Sequence, residues 1–134
     1  MERFMDKIGI DTDRAGNIIK SGGLVIFPTE TVYGLGANAL DKSAVENIFK
    51  VKERPSYDPL IVHIDSVDKI EQVVSNFPEN AKMLANKFWP GPLTIILEKS
   101  KDIPDIVTSG LNSVGVRIPE HPVALEFLKK PIDL

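Results

Sequence analysis

Gly23-Leu24-Val25-Ile26-Phe27-Pro28-Thr29-Glu30-Thr31-Val32-Tyr33-Gly34-Leu35-Gly36 is the stretch on which the reading of this chain turns. The apolar run from Gly23 to Ile26 predicts a buried strand near 23–28. Behind it, two hydroxyls, a carboxylate, a phenol and two glycines predict a ligand-binding loop. Matching chemistry recurs further on. Lys52-Glu53-Arg54-Pro55 is cationic, His63 sits at the end of a second apolar run, and Arg117 stands inside a third.

Around that strand the chain alternates helix and strand signals. Ile18 and Ile19 behind Thr12-Asp13 predict a first helix up to the Gly22-Gly23 break, capped by Thr12 or Asp13. Ala44, Val45, Ile48, Phe49 and Val51 keep helical spacing over 42–52, with Asp41 or Ser43 as cap. Leu60-Ile61-Val62-His63-Ile64 has strand length, and Ser66 is placed to cap a helix through Ile70, Val73 and Val74. A fourth helix is expected from about Pro78 to Phe88, stopped by Pro90 and Pro92. Leu93-Thr94-Ile95-Ile96-Leu97 and Ser113-Val114-Gly115-Val116-Arg117-Ile118 read as two more strands, and Val123, Ala124, Phe127 and Leu128 mark a closing helix over 121–130. Strands mostly separated by helices predict an α/β fold, an open twisted sheet with flanking helices whose central strands are apolar on both faces. Ligands of such sheets sit beyond the C-terminal strand ends, where the polar residues above fall.

The totals bound the function. A chain of 134 residues makes one domain, 1–134, with a real core and no room for a second. With 43% hydrophobic and 26% charged residues the composition is that of a soluble globular protein, and no apolar run approaches the ~20 residues of a membrane span. Met1-Glu2-Arg3-Phe4-Met5-Asp6 lacks the apolar core of a signal peptide, which predicts a cytoplasmic protein. Zero cysteine excludes disulfides, a thiolate nucleophile and cysteine-ligated zinc, and two histidines make a poor transition-metal site, so no protein-held metal is expected. A net charge of −3 gives no global attraction to nucleic acid, while Lys50, Lys52 and Arg54 can hold a small anion.

Each constellation has a structural and a functional reading. Gly34-Leu35-Gly36-Ala37-Asn38-Ala39 fits the permissive dinucleotide pattern, but Pro28 to Tyr33 intervene between strand and glycines, and the helix begins only near Lys42. A tight loop with positive φ is the better reading of those glycines. Thr29 and Thr31 either stabilise a turn or, with Glu30 and Tyr33, receive an amino acid or sugar. Pro55 disfavours helical geometry at Arg54, so the helix ends near Lys52 and both cations can converge on one anion; otherwise they only decorate a helix C-terminus. His63 is a satisfied core group or a ligand contact at a strand end. Arg117 lies beside Gly115 on the face opposite Val114, Val116 and Ile118, and calls for a carboxylate or phosphate partner, internal or from a ligand. His121, just after a proline, is expected at the surface.

Together these residues resemble the YrdC-like family of L-threonylcarbamoyladenylate synthases. The resemblance is carried by residues 27–36, by Lys52-Glu53-Arg54-Pro55 with Asp58-Pro59-Leu60-Ile61-Val62-His63-Ile64, by Phe88-Trp89-Pro90-Gly91-Pro92-Leu93-Thr94 and by Val116-Arg117-Ile118-Pro119, in order and spacing. It implies a YrdC-like sheet and a reaction in which L-threonine, bicarbonate and ATP give threonylcarbamoyl-AMP and pyrophosphate, the product passing to downstream tRNA-modification proteins. It implies Thr29, His63 and Arg117 as the L-threonine site, Lys52, Arg54, Asp58 and Thr108 as the nucleotide site, with Lys52 and Arg54 catalytic, and magnesium on the triphosphate. Two departures stand out. Asp58 replaces the family's asparagine, and the family pattern runs on past a segment like Lys130-Pro131-Ile132 into a Ser-x-Asn motif that this sequence does not contain. The resemblance therefore implies an N-terminal portion of the domain, with a half-built nucleotide site, weak synthesis and a tendency to form homo-oligomers through unpaired sheet. A competing reading is an RNA-binding module of the same fold with direct RNA contact, against which the pI of about 5.4 counts. A carbamoyl-transfer domain of hydrogenase maturation is argued against by the lack of cysteine.

Overall fold

The computed structural model describes residues 12–28 and 33–129. Helix α1 (Thr12–Lys20) leads into a hairpin of β1 (Val25–Pro28) and β2 (Tyr33–Gly36), followed by α2 (Lys42–Lys52) and the short strand β3 (Ile61–His63). A 3-10 turn (Val67–Lys69) runs into α3 (Ile70–Val73), then come α4 (Glu79–Phe88), β4 (Ile95–Glu98), β5 (Ser113–Arg117) and α5 (Pro122–Lys129). Among the described residues the strands form two sheets: the antiparallel hairpin β1–β2, and a three-stranded sheet in the order β3-β5-β4. In the latter β5 is parallel to β3 and antiparallel to β4. The α/β class and the flanking helices hold, and the sheet is mixed.

The departures from the sequence reading are local. Residues 33–36 are not loop but β2, paired Val25↔Gly36 and Phe27↔Gly34. Gly34 and Gly36 therefore lie in a strand, and positive φ among the described glycines occurs at Gly22 and Gly110 instead. The missed strand has a plain cause, since Tyr-Gly-Leu-Gly carries too few apolar residues to alternate. Thr12 is already helical, and the cap of α1 lies outside the described residues. Asp41 caps α2, its carboxylate accepting from the Ala44 N–H at 3.2 Å. Ser66 occupies the expected cap position but makes no side-chain cap bond. Closure of α5 is tighter than its sequence suggests. Lys69, paired with Asp65 at 2.9 Å, donates to the Leu128 carbonyl at 2.8 Å, a cation placed on a helix C-terminus.

Period-two alternation places the core. Val114 and Val116 of β5, Val62 and Ile64 around β3, and Ile95 and Leu97 of β4 are buried with Val45 and Phe49 of α2, Ala81 and Ala85 of α4, and Val73, Val74, Ile103 and Val107. A second cluster joins Ile19 of α1, Phe27 of β1, and Ala124 and Leu128 of α5. The opposite face of the three-stranded sheet is not apolar throughout, as the sequence reading expected. It carries His63, Gly115 and Arg117, with Ile61 49% and Ile96 71% exposed.

This burial contrast is directly measurable. Ile64→Ala is expected to lower unfolding free energy by about 2–5 kcal/mol in urea titrations, whereas Ile96→Ala should stay within about 0.5 kcal/mol of the parent.

Candidate functional site

Parallel pairing brings two of the expected site residues side by side. His63 and Arg117 are register partners at the C-terminal ends of β3 and β5, strands roughly 4.8 Å apart. Both project from the face opposite the core, at the end of a parallel pair where α/β sheets hold ligands.

Arg117 is buried, and the loop around Gly91 helps to hold it. Its Nε donates to the Gly91 carbonyl at 2.8 Å, and the Gly91 N–H donates back to the Ile118 carbonyl at 2.9 Å. This clasp needs a glycine, because a Cβ at position 91 would stand 2.5 Å from the Phe88 carbonyl oxygen. The same loop is closed by Trp89, whose indole N–H donates to the Leu93 carbonyl at 2.8 Å, and contains a cis Trp89–Pro90 bond. Burial lowers the Arg117 pKa from its ordinary value, and a guanidinium remains charged at neutral pH all the same. The Gly91 carbonyl thus takes part in orienting the cation. The space over Gly115 is not open, as the sequence reading supposed: a Cβ there would meet Thr94 Cγ2 at 3.0 Å and Ile61 Cγ1 at 3.7 Å.

His63 is wedged against the hairpin. Its imidazole meets the Phe27 ring edge to face, centroids 5.5 Å apart at 80°. Burial lowers its pKa, and a hydrogen bond to the Ile61 backbone works the other way. The neutral imidazole is thus the form the fold favours at pH 7, able to donate from one nitrogen and accept at the other.

The cationic segment follows the expected geometry up to a point. α2 ends at Lys52, Glu53 turns into the left-handed region at φ 52, and the Arg54 N–H closes on the Phe49 carbonyl at 3.0 Å. Arg54 leaves the helix as predicted. Its fork, however, is spent on its own loop: Nε donates to the Asp58 carbonyl at 3.0 Å, Nη2 to the Pro59 carbonyl at 2.7 Å, and Nη2 lies 3.3 Å from Asp58 Oδ1. Leu60, next in the chain, donates its N–H to the Val107 carbonyl at 2.9 Å, so segment 58–63 ties Arg54 to His63 and to the turn at 105–111. Lys52 is exposed in the last turn of α2.

Thr108 sits in the turn after β4. It is fully buried, and its hydroxyl donates to the Leu111 carbonyl at 2.7 Å, a turn-forming bond. His121 is half-buried, not fully at the surface, and its Nδ1 accepts from the Val123 N–H at 3.2 Å. Thr29, Glu30 and Thr31, with the Tyr33 side chain, lie outside what is described. Two supports escaped the sequence reading, the Gly91 carbonyl under Arg117 and the Phe27 ring against His63. The glycine between Pro90 and Pro92 was the available signal for the first.

Residues 17–133 match the model of the Sua5/YciO/YrdC family, described as "Telomere recombination". The chain belongs to this family. It is 53% identical over 115 residues to a threonylcarbamoyl-AMP synthase of Pyrococcus abyssi, covering 86% of this chain and 34% of that protein. It is 46% identical over 118 residues to the Bacillus subtilis protein of the same name, covering 87% of this chain and again 34% of the other. The structure of P. abyssi Sua5 complexed with L-threonine superimposes with a TM-score of 0.87 at 50% identity, over 95% of this chain and 36% of that one. The chain thus spans about a third of the length of these relatives. Full-length HypF shares the fold alone, at 19% identity with a TM-score of 0.76.

Two outcomes are expected. A histidine whose folded pKa lies below its unfolded value of about 6.5 costs stability once it must be protonated, so stability is unaffected by His63 above that pH and falls below it, by at most about 1.4 kcal/mol per pH unit. Urea titrations of His63→Gln should show that part of the slope between pH 6.5 and 5 removed. In addition, Arg54→Lys should speed amide exchange at Leu60 and proteolysis within 55–60, because an ammonium cannot reproduce the fork, whereas Lys52→Ala should leave both unchanged.

Proposed function

We propose that this chain carries the amino-acid site and part of the nucleotide site of an L-threonylcarbamoyladenylate synthase. The observation that carries the reading is the side-by-side placement of His63 and Arg117 at the ligand end of the parallel pair, in a family member whose relatives bear that name. In this reading Arg117 clamps the threonine carboxylate, held in place by Gly91, and neutral His63 with Thr29 orients the hydroxyl or amine. The amine adds to bicarbonate-derived carboxyl carbon to give a carbamate with loss of water, and a carbamate oxygen then displaces pyrophosphate from the α-phosphorus of ATP. No covalent enzyme intermediate is required. Lys52 and Arg54 supply positive charge to the phosphates as charge develops on the leaving group.

Asp58 acquires a role in this scheme. Paired with Arg54, its carboxylate is partly neutralised, which moderates the penalty of an anion near triphosphate, and it draws Arg54 charge away from the phosphates. In this reading magnesium arrives on the phosphates of ATP and is held by them more than by the protein. Thr108, buried and bonded within its own turn, would contribute to the nucleotide site by shaping that turn. The synthase names of the relatives support this reading over an RNA-binding module. A tRNA-modification role implies a cytoplasmic setting and downstream partners that take the adenylate. No helix among the described residues is long and apolar enough to cross a membrane.

Calorimetry with L-threonine and L-serine tests the amino-acid site, and pyrophosphate release from ATP in the presence of bicarbonate tests the reaction. Threonine should bind about 10–200-fold more tightly than serine if a methyl pocket is present; equal affinities would overturn the assignment. Asp58→Asn should tighten ATP binding by about two- to fivefold, the scale of one exposed ion pair released.

A further inference from the structure

The glycines of Gly34-Leu35-Gly36 lack a conformational reason for being glycine. Both sit in β2, and neither is among the residues with positive φ. What they share is a neighbour. A Cβ on Gly36 would stand 2.7 Å from Cε1 and 3.1 Å from Cδ1 of Phe27, and one on Gly34 would meet Cζ and Cε1 of the same ring at 3.4 and 3.5 Å. Phe27 faces Gly34 across the hairpin and leans diagonally toward Gly36, on one face of the two strands. Its ring is buried against Ile19 of α1 and Ala124 and Leu128 of α5, and it meets the His63 imidazole edge to face.

We propose that Phe27, bedded on Gly34 and Gly36, is a positioning residue for His63, and that the two glycines exist to let the ring lie flat enough to set the plane of the imidazole. The proposal rests on the reading of His63 as a threonine contact. Ile19 of α1 and Ala124 and Leu128 of α5 pack the ring in the small core, so a side chain at 36 must displace it, and the His63 imidazole it touches moves with it. The imidazole is held there between the ring and the Ile61 backbone, and loss of either support lets it rotate. The hairpin that carries the threonine-site loop is in this way coupled to the sheet that carries His63 and Arg117.

The test compares the chain with Gly34→Ala, Gly36→Ala, Phe27→Leu and the Gly36→Ala/Phe27→Leu double variant. Ring resonances of His63 are followed by NMR with His121 as the reference in the same molecule, alongside urea stability and calorimetric L-threonine affinity. Gly36→Ala should move the His63 resonances, leave those of His121 in place and weaken threonine binding about tenfold, the scale of one hydrogen bond to a charged ligand. Gly34→Ala, in ordinary contact with the ring, should do far less. Phe27→Leu should remove the ring-current shift at His63 and weaken threonine similarly. The double variant should regain the stability lost by Gly36→Ala, because leucine yields to the new methyl, without regaining His63 shifts or threonine affinity. If His63 is unmoved in both Gly36→Ala and Phe27→Leu, or if the double variant recovers shifts and affinity with stability, the glycines and the ring are core packing and the proposal is wrong. Should Gly36→Ala fail to fold, the Phe27→Leu spectra decide alone. A parent chain that binds no threonine would overturn the functional reading, and the His63 resonances would still settle the positioning role.

Discussion

A strand bonded on both sides must satisfy two partners and two faces at once, and β5 is under that constraint. It pairs with β3 through Ile61↔Gly115, Val62↔Val116 and His63↔Arg117, and with β4 through Ile95↔Val116 and Leu97↔Val114. A slip of one residue against either partner would turn Val114 and Val116 outward and drive Arg117 into the core, at the cost of an unpaired buried cation. Core packing therefore selects the register, and the register sets Arg117 beside His63. The juxtaposition of His63 and Arg117 is a consequence of that register.

The two arginines show how a fold can aim a cation. Arg117 is oriented in part by a backbone carbonyl from a loop that reciprocates with its own N–H, an arrangement that fixes direction. Arg54 is held by two carbonyls and by the Asp58 carboxylate, which offsets part of its charge locally. Exposed ion pairs of this kind add little to stability, so the Asp58 contact matters more for the electrostatics of the loop than for the fold. Loop 54–60 is anchored at its far end by the Leu60–Val107 bond, which makes it a stiff bridge between α2 and β3.

The hairpin completes the frame. It belongs to the smaller core with α1 and α5, not to the core of the three-stranded sheet, and the Phe27–His63 ring contact joins the two. Ala39 packs against both clusters, and Lys69 ties the turn after β3 to the end of α5. Residues remote in sequence thus converge through a few directional contacts laid over two hydrophobic clusters.

Local chemistry written in the sequence was enough for much of this. Helical spacing with Asp41 as cap set α2, the Pro55 restriction released Arg54 at Lys52, prolines stopped α4, and alternation in 113–118 put Arg117 opposite Val114 and Val116. Each of these depends on neighbours within a few residues. Tertiary structure alone decided that 33–36 is a strand, since a Tyr-Gly-Leu-Gly segment becomes one only when β1 offers its hydrogen bonds. It alone turned Thr108 inward, gave Gly91 to Arg117 across 26 residues of chain, and set the Phe27 ring between two glycines and His63. Such contacts depend on where distant backbone ends up, and no pattern of propensity or period along one segment carries that information.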